Sequence, residues 1–352
     1  MPARSIRRNP EGNFAYVLVT DSSVQARQAS HANRADWADQ ADAGRAADGV
    51  ATAPVPDVVA ADKCVVLDAV ESTNTQARKM LSDSIVADPA RFPLYVLLAD
   101  EQTGGRGRMG RTWVSGRDTS FLSSFVARIP TALATGANSG WLTTIAGIDT
   151  VESLRALAGA HGADPERIGL KWPNDVYWDD YKLGGILTEL AAVHAGPADD
   201  AVVIFGIGIN LFLKDRPTEI ATSLHRHVPG LPAYAVLRNQ LAQLIAQRLR
   251  TDLLQYCEKA DAGIPRLLKR ATALSCTLGR HVSAELPGGT RVTGTACAIL
   301  PNAALKIRAD DGTFVSVTAG DVGLIPQAMP VPQAATVPEG NAPMPAHSLR
   351  LG

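Results

Sequence analysis

The sequence lacks several features that mark common classes of protein. Its charges almost cancel, with 34 lysines and arginines against 35 aspartates and glutamates and a formal net charge of -1. A nucleic-acid-binding protein usually carries net positive charge or a basic stripe, and neither is visible. The longest apolar runs, such as Ala201–Ile209, are far shorter than the roughly 20 residues that cross a bilayer. We therefore expect neither a nucleic-acid partner nor a membrane span.

Cysteine is also scarce. The 4 cysteines are scattered without a C-x-x-C pair, a pattern that supports neither a zinc site nor a disulfide framework. The apolar stretch Phe14–Val19 near the N-terminus is shorter than the about 7 to 15 apolar residues of a secretory signal. Both observations predict a protein of the reducing cytoplasm.

Length and composition suggest how the chain is divided. At about 150 residues per domain, 352 residues correspond to roughly two domains. Alanine and aspartate dominate from about Ser23 to Ala61, and prolines recur from residue 326 on. Such segments bury too little apolar surface to offset their chain entropy. We predict a disordered extension at 1–61, a larger domain at 62–272, a small β-barrel at 273–326 and a disordered tail at 327–352.

Hydrophobic periodicity predicts the elements of the larger domain. Short apolar runs bounded by turn residues are typical of buried strands, and apolar residues three to four apart are typical of helices. Thr73 and Gln76 have the spacing of a capping box at a helix start. The predicted strands are Cys64–Leu67, Leu94–Leu98, Thr119–Arg128 and Ala201–Ile209, and the other helices cover Leu142–Leu157 and Leu237–Leu253. After residue 273, short β-type runs separated by turns predict a small all-β module.

The stretch E-Q-T-G-G-R-G-R-M-G-R-T-W, Glu101–Trp113, carries the strongest signal. Gly105, Gly107 and Gly110 fit the dinucleotide pattern G-x-G-x-x-G, and part of the stretch nearly fits a P-loop. Both motifs need a helix directly after the glycines, whereas a β-like run follows here. Arginines interleaved with glycines favour bidentate contact with a phosphate or carboxylate, and a solvated surface turn is the alternative.

Two further stretches combine charge, turn residues and glycine. K-W-P-N-D, Lys171–Asp175, predicts a tight polar turn between two strands, and Lys182 then begins an apolar strand. A lysine beside apolar residues can equally extend to solvent, and Lys171 with Asp175 can be an ordinary surface ion pair. G-I-G-I-N-L, Gly206–Leu211, ends a buried strand, where glycines indicate either close approach of a ligand or plain core packing.

Taken together, these stretches resemble the ordered motifs of the biotin–protein ligases. The other matching segments are E-S-T-N-T, Glu71–Thr75, and K-L-G-G-I-L-T-E, Lys182–Glu189. The resemblance spans about residues 62–325. It implies an α+β catalytic domain with a mixed sheet of the class II synthetase type, followed by an SH3-like barrel. It also implies an ATP-dependent ligase that forms biotinyl-5'-AMP and pyrophosphate from biotin and MgATP and then transfers biotin to a lysine.

The resemblance also implies roles for individual residues. Arg108 and Lys182 would act at the biotin carboxylate and α-phosphate, and Asp175 at the incoming lysine. The implied biotin contacts are Ser72, Thr73, Asn74, Gln102, Arg106, Gly107, Arg108 and Lys182. The implied ATP or adenylate contacts are Arg111, Trp113, Lys171, Asn174, Gly208 and Asn210. A carboxylate that attacks an α-phosphorus must overcome anion–anion repulsion, so fixed cations and Mg²⁺, whose ligands stay unassigned, suit this reaction.

The sequence departs from the family pattern at the end of the barrel. Where family members often have G-D-V-S-L-R, this chain has G-D-V-G-L-I, with Gly323 and Ile325 in place of serine and arginine. A barrel arginine near the ATP phosphates is therefore missing. Residues 1–61 also lack the helix-turn-helix pattern that bifunctional relatives carry.

Two rival functions stay open on the sequence. A biotin-responsive repressor would need a DNA-reading element, which we do not expect in residues 1–61. A lipoate or octanoate ligase shares the fold and a carrier lysine but, as a family, not the combination of G-R-G-R-x-G with K-W-P-N-D. The partner implied by the resemblance is a biotin carboxyl carrier protein, a subunit of acetyl-CoA carboxylase, and the chain is either a monomer or a homodimer.

Overall fold

The computed structural model describes residues 3–8, 14–19, 61–82, 94–194, 199–286, 289–318 and 321–324. The strands are β1 (Ala3–Arg8), β2 (Phe14–Val19), β3 (Lys63–Leu67), β4 (Leu94–Ala99), β5 (Gly105–Arg106), β6 (Thr112–Trp113), β7 (Ser120–Pro130), β8 (Ile168–Lys171), β9 (Asp175–Trp178), β10 (Tyr181–His194), β11 (Asp200–Asn210), β12 (His281–Glu285), β13 (Arg291–Ile299), β14 (Leu305–Ala309), β15 (Phe314–Val317) and β16 (Asp321–Leu324). The α-helices are α1 (Thr73–Ser82), α2 (Thr131–Thr135), α3 (Gly140–Ala160), α4 (Tyr234–Glu258) and α5 (Ala260–Leu274).

A mixed sheet forms the centre of the larger domain. Its strand order is β2-β1-β3-β4-β7-β11-β10-β9-β8, with β3 and β4 parallel and the other described neighbours antiparallel. The strands predicted from periodicity are confirmed to within one or two residues at each end. The helices predicted at 142–157 and 237–253 are also confirmed, and each lies inside a longer helix. None of the described helices is long and apolar enough to cross a membrane.

The N-terminal extension differs from the prediction. We expected residues 1–61 to be disordered, and that is wrong for β1 and β2, which extend the sheet beside β3. The average composition of the extension hid two short runs, one of them the apolar Phe14–Val19, whose backbone groups can pair at a free sheet edge. Most of 1–61 and all of the tail 327–352 lie outside the described residues.

The two faces of the sheet are covered differently. Successive side chains of a strand alternate between faces, and along β11 Phe205 and Ile207 enter the main core with α3, α4 and α5. Ile204 packs on the opposite face, in a small cluster with Ala77 of α1. Further along β11 this second face carries Gly206 instead of a large side chain, and here the sheet stays open.

The C-terminal module is an antiparallel sheet with the strand order β15-β14-β13-β12-β16. The predicted all-β module is therefore confirmed. Closure into an SH3-like barrel, the boundary at 272/273 and the role of Ile325, which lies outside the described residues, stay predictions.

Trp172 of the larger domain is buried in the apolar core of the module. Its indole Nε1 donates a hydrogen bond to the carbonyl of Ala303 at 2.9 Å, and its backbone N–H donates to Thr277 Oγ1 at 2.9 Å. The module thus holds the turn at 171–175 in place.

Candidate active site

A cavity of about 330 Å³ lies on the open face of the sheet. Every site residue implied by the family motifs lines it, with the exception of Lys171. These residues are Ser72, Thr73, Asn74, Gln102, Arg106, Gly107, Arg108, Arg111, Trp113, Asn174, Asp175, Lys182, Gly208 and Asn210. Motifs that are far apart in the sequence therefore meet at one site.

Glycines of β11 form the floor of the cavity. A Cβ atom on Gly206 would lie 2.5 Å from Asn74 Oδ1, and one on Gly208 would lie 2.9 Å from Trp113 Cε2. Both distances are too short for any side chain. The glycines of G-I-G-I-N-L are thus required for the close approach of two site side chains, rather than for core packing.

The start of α1 is fixed by Gln102. Its Oε1 accepts hydrogen bonds from the backbone N–H of Thr73 at 2.7 Å and from Thr73 Oγ1 at 3.1 Å. The first N–H groups of a helix have no partner within the helix, so Gln102 satisfies one of them. The predicted helix start is correct, but the Thr73 side chain contacts Gln102 of another segment, not the predicted capping-box partner Gln76. Thr73 and Gln102 therefore form one unit at the cavity wall.

Asn74 is buried and makes three hydrogen bonds around its amide group. Its Nδ2 donates to Glu189 Oε2 at 2.7 Å and to the Leu187 carbonyl at 3.2 Å. Its Oδ1 accepts from Ser124 Oγ at 2.6 Å. Strands β7 and β10 thus hold Asn74 from two sides.

The Gly–Arg loop, residues 104–113, is a narrow hairpin beside the cavity. Its arms are β5 and β6, in which Gly105 pairs with Trp113 and Arg106 with Thr112. A Cβ atom on Gly105 would lie 2.4 Å from the Trp113 carbonyl oxygen, so the pairing requires glycine there. The tip is left-handed, with φ of 55° at Met109 and 74° at Gly110, a conformation that glycine adopts readily.

The arginines of this loop contact the neighbouring strands. Arg108 Nη1 donates to Asn174 Oδ1 at 2.6 Å, and Asn174 Nδ2 in turn donates to the Ile186 carbonyl at 2.7 Å. Arg106 Nη2 lies 3.4 Å from Glu189 Oε2. A purely solvated turn does not describe this loop, because its arginines are tied to K-W-P-N-D and to β10.

Lys171, Asp175 and Lys182 form a lysine–aspartate triad at one end of the cavity. Lys182 Nζ lies 2.6 Å from Asp175 Oδ1, and Lys171 Nζ lies 3.4 Å from Asp175 Oδ2. Lys171 is only 5% exposed, so its pair with Asp175 is not a surface ion pair. The Lys182 backbone is held on both sides, by the Ile220 carbonyl and the Thr222 N–H. Two cations around one carboxylate leave a net positive charge, which suits an anionic ligand.

Asn210 and Trp113 both line the cavity, but among the described residues only the side-chain N–H group of Asn210 has a hydrogen-bond acceptor. Asn210 Nδ2 donates to the Thr222 carbonyl at 2.9 Å, so Asn210 fastens the loop after β11. Trp113 Nε1 is buried and has no acceptor among the described residues. The indole N–H beside Gly208 is therefore unsatisfied among the described residues.

The sequence analysis missed one wall of the cavity. Pro217, Thr218, Ile220 and Ala221 line it, in a loop that carries no recognisable motif. A bridge between Lys182 and Ala221 places this loop, and such a long-range backbone contact leaves no local signal in the sequence.

A dedicated metal centre is not visible in the part of the chain that the structure describes. No group of three or more His, Cys, Asp or Glu residues there could hold a metal ion. All 4 cysteines are free. Asp175 is the single acidic residue among those that line the cavity.

Similarity to known proteins identifies the class to which this fold and cavity belong. Residues 66–210 match the Biotin/lipoate A/B protein ligase family. The chain is 33% identical over 259 residues to a biotin–[acetyl-CoA-carboxylase] ligase of Mycobacterium tuberculosis, covering 73% of this chain and 88% of that protein. It is 29% identical over 259 residues to the bifunctional ligase/repressor BirA of Escherichia coli, covering 74% of this chain and 73% of that protein.

Solved structures agree with these sequence relatives. The fold is similar to that of a biotin protein ligase from Aquifex aeolicus in complex with biotin and ATP, with a TM-score of 0.55, 25% identity and coverage of 75% of this chain and 99% of the other. The chain belongs to the biotin protein ligase family. This confirms the family and fold class that the motifs predicted.

Proposed function

We propose that this protein is an ATP-dependent biotin ligase that activates biotin as biotinyl-5'-AMP and transfers it to a lysine of a biotin carboxyl carrier protein. The observation that carries the proposal is the layout of one cavity. Neutral hydrogen-bonding groups lie around Asn74, and the lysine–aspartate triad and Arg108 add charge. This layout suits a ligand with a neutral polar ring and a negatively charged carboxylate.

In the first step a carboxylate oxygen of biotin attacks the α-phosphorus of ATP. A C–O–P linkage forms, the bond to the β-phosphate breaks, and pyrophosphate leaves with the electron pair. Lys182 and Arg108 reduce the repulsion between the two anions and stabilise the charge that develops on the α-phosphate. Lys171, behind Asp175, keeps this carboxylate paired so that it does not repel the substrates.

In the second step the uncharged amine of the carrier lysine attacks the carbonyl carbon of the adenylate. A C–N bond forms, the bond to AMP breaks, and the amine loses a proton. Asp175 is the carboxylate placed to orient this amine and accept the proton. Because water would hydrolyse the mixed anhydride, the Gly–Arg loop has the further role of covering the intermediate.

Mg²⁺ would enter with the nucleotide. The single acidic residue at the cavity, Asp175, is already paired with two lysines, so the residues that line the cavity offer the ion no carboxylate ligand and substrate phosphates and water would hold it. When bound, the ion would neutralise charge on the phosphates. We place the reaction in the cytoplasm, which supplies ATP and suits four free cysteines.

ATP–pyrophosphate exchange tests this function. We expect wild type to catalyse exchange with biotin and not with lipoate or octanoate. We expect Arg108→Ala to retain some exchange but to release biotinyl-5'-AMP into solution, because the loop loses its contact with Asn174. Absence of biotin-dependent exchange in wild type would overturn the proposal.

A further inference from the structure

Glu189 has no role in the proposed reaction and does not line the ligand cavity, yet three basic or amide side chains converge on it. Asn74 Nδ2 and Arg106 Nη2 lie 2.7 and 3.4 Å from its Oε2. Arg78 Nη2 lies 3.7 Å from its Oε1. The side chain is 22% exposed, so the carboxylate is largely shielded beneath the Gly–Arg loop.

These contacts determine which way the Asn74 amide points. An ionised carboxylate and a backbone carbonyl can only accept hydrogen bonds, so Nδ2 must face Glu189 and Leu187. The hydroxyl of Ser124 then donates to Oδ1. An amide that is satisfied in this way has a single low-energy orientation, with its oxygen beside Gly206 at the cavity floor.

The orientation matters for the kind of ligand that the cavity accepts. A carbonyl-type oxygen has two lone pairs, and Ser124 uses one of them. The other can accept from an N–H group of a ligand. A cyclic urea carries such a group, whereas an alkyl chain or a dithiolane ring does not. A buried acceptor that loses its donor is costly, so a site of this kind rejects ligands without the N–H.

We propose that Glu189 is a positioning residue that sets the polarity of Asn74 and thereby makes the cavity selective for acids with a ring N–H. This inference rests on the proposed function, since it names a determinant of biotin recognition. Glu189 is not among the residues that line the cavity. It acts through Asn74, and its shared contact with Arg106 connects the same carboxylate to the Gly–Arg loop.

The variant Glu189→Gln tests this role. Glutamine has one acceptor oxygen and adds an N–H₂ donor, so the native orientation of Asn74 is then favoured only by the longer contact with the Leu187 carbonyl, at 3.2 Å. We expect the KM for biotin in ATP–pyrophosphate exchange to rise about tenfold, the scale of one lost hydrogen bond. The KM for ATP, and the Ki of octanoate as a competitor, should stay within about twofold. A matched control is Glu166→Gln, which also removes a carboxylate paired with an arginine, Arg155, and should match wild type.

A pair of variants separates polarity from general damage to the site. Asn74→Asp alone brings two carboxylates together and should abolish most biotin binding. Adding Glu189→Gln removes the repulsion between the two carboxylates and leaves only the Leu187 carbonyl without its donor, so the double variant should recover part of the binding, about tenfold over Asn74→Asp. If Glu189 acted only through Arg106, the second change would not restore binding.

The outcomes distinguish the two proposals. Wild type without biotin-dependent exchange would overturn the proposed function. Normal exchange in wild type together with an unchanged KM for biotin in Glu189→Gln would overturn only the role of Glu189. An equal rise in the biotin KM, the ATP KM and the octanoate Ki, or no rescue in the double variant, would likewise overturn it.

Discussion

The protein contains two clusters of acidic and basic side chains, and they differ in what surrounds them. The lysine–aspartate triad lies at a cavity, where Asp175 and Lys182 are open to a ligand. The helix cluster, Asp149 and Glu152 of α3, Asp252 of α4 and Arg270 of α5, is enclosed between three helices. Arg270 contacts all three carboxylates, with Nε 2.9 Å from Glu152 Oε1 and Nη2 3.1 Å from Asp149 Oδ1.

The pKa values of two aspartates in the helix cluster, Asp149 and Asp252, are shifted in opposite directions. Burial, and then the charge of Asp252, raise the pKa of Asp149 well above its usual range. Burial also acts to raise the pKa of Asp252, but hydrogen bonds from Asp149, Arg270 and Arg266 outweigh it and lower the pKa. Asp149 Oδ2 accepts no hydrogen bond from any described residue, which suits an oxygen that carries the proton. The cluster therefore satisfies its charges internally.

The comparison shows why a cluster of charges alone does not identify a ligand site. With Asp149 protonated, the helix cluster has as many charged groups as the triad and is more deeply buried. Its two ionised carboxylates share Arg270, and each has a further arginine, Arg248 at Glu152 and Arg266 at Asp252. The triad keeps one more cation than anion next to open space. We expect changes in the triad to affect catalysis and changes in the helix cluster to affect stability.

Lys182→Ala should have the largest effect. Loss of one fixed cation at the position where charge develops should lower kcat for biotin-dependent ATP–pyrophosphate exchange about 10³-fold. The free energy of unfolding should change little, because the Lys182 side chain is partly exposed. Lys269→Ala, which removes an exposed lysine of α5, serves as the control. Normal exchange in Lys182→Ala would remove this residue from the mechanism.

Arg270→Ala should break the helix cluster instead. It leaves the three carboxylates without their shared partner, and removing one partner of a buried ion pair typically costs about 3–5 kcal/mol of stability. Urea unfolding measures this loss. The exposed pair of Arg280 with Asp180 offers the contrast, since Arg280→Ala should cost at most about 1 kcal/mol. Exchange activity per folded molecule should remain near wild type in both variants. A loss of that activity in Arg270→Ala would contradict the assignment of the helix cluster to stability and of the triad to catalysis.

Lys171→Met sharpens the comparison, because Lys171 is buried like the helix cluster but belongs to the triad. Asp175 still has Lys182 as a partner after this change, 2.6 Å away in wild type, so we expect a moderate loss, about tenfold in kcat/KM for biotin. Steady-state exchange kinetics beside Lys182→Ala would rank the two lysines. If Lys171→Met lowered only the free energy of unfolding and left the exchange kinetics unchanged, Lys171 would have a structural role like that of the helix cluster.

Asp149→Asn should have the smallest effect on the free energy of unfolding, and this effect should depend on pH. A pKa raised in the folded state favours folding below the unfolded pKa, and this contribution is lost as the pH rises through the folded pKa. Asparagine does not ionise. Relative to wild type, the variant should therefore gain stability as the pH rises from about 4, measured by urea unfolding across neutral pH. Asp252→Asn should show the opposite trend, a loss of stability relative to wild type as the pH rises toward about 4, because the pKa of Asp252 is lowered. Parallel curves for Asp149→Asn and wild type would contradict the protonated state.

Local patterns predicted much of this molecule. The strand Ala201–Ile209 and the helices around Leu142–Leu157 and Leu237–Leu253 are confirmed, because burial on one face imposes a period on the sequence. The composition of 1–61 misled for β1 and β2, since short runs are averaged out over a long segment. Gln102 at the start of α1 was assigned a ligand contact but not its role as a cap, because its partner comes from another segment.

The sequence by itself determined the family, the mixed fold and the motif residues that supply half of the cavity lining, because motif residues and their order are local properties of the chain. Only the tertiary structure decided how those side chains act. It placed Lys171 behind Asp175 and out of the cavity, buried Trp172 in the C-terminal module, brought Pro217 to the cavity wall and set Glu189 against Asn74. The physical reason is that burial, ion pairing and the direction of a hydrogen bond depend on neighbours that are distant in sequence and meet only when the sheet forms.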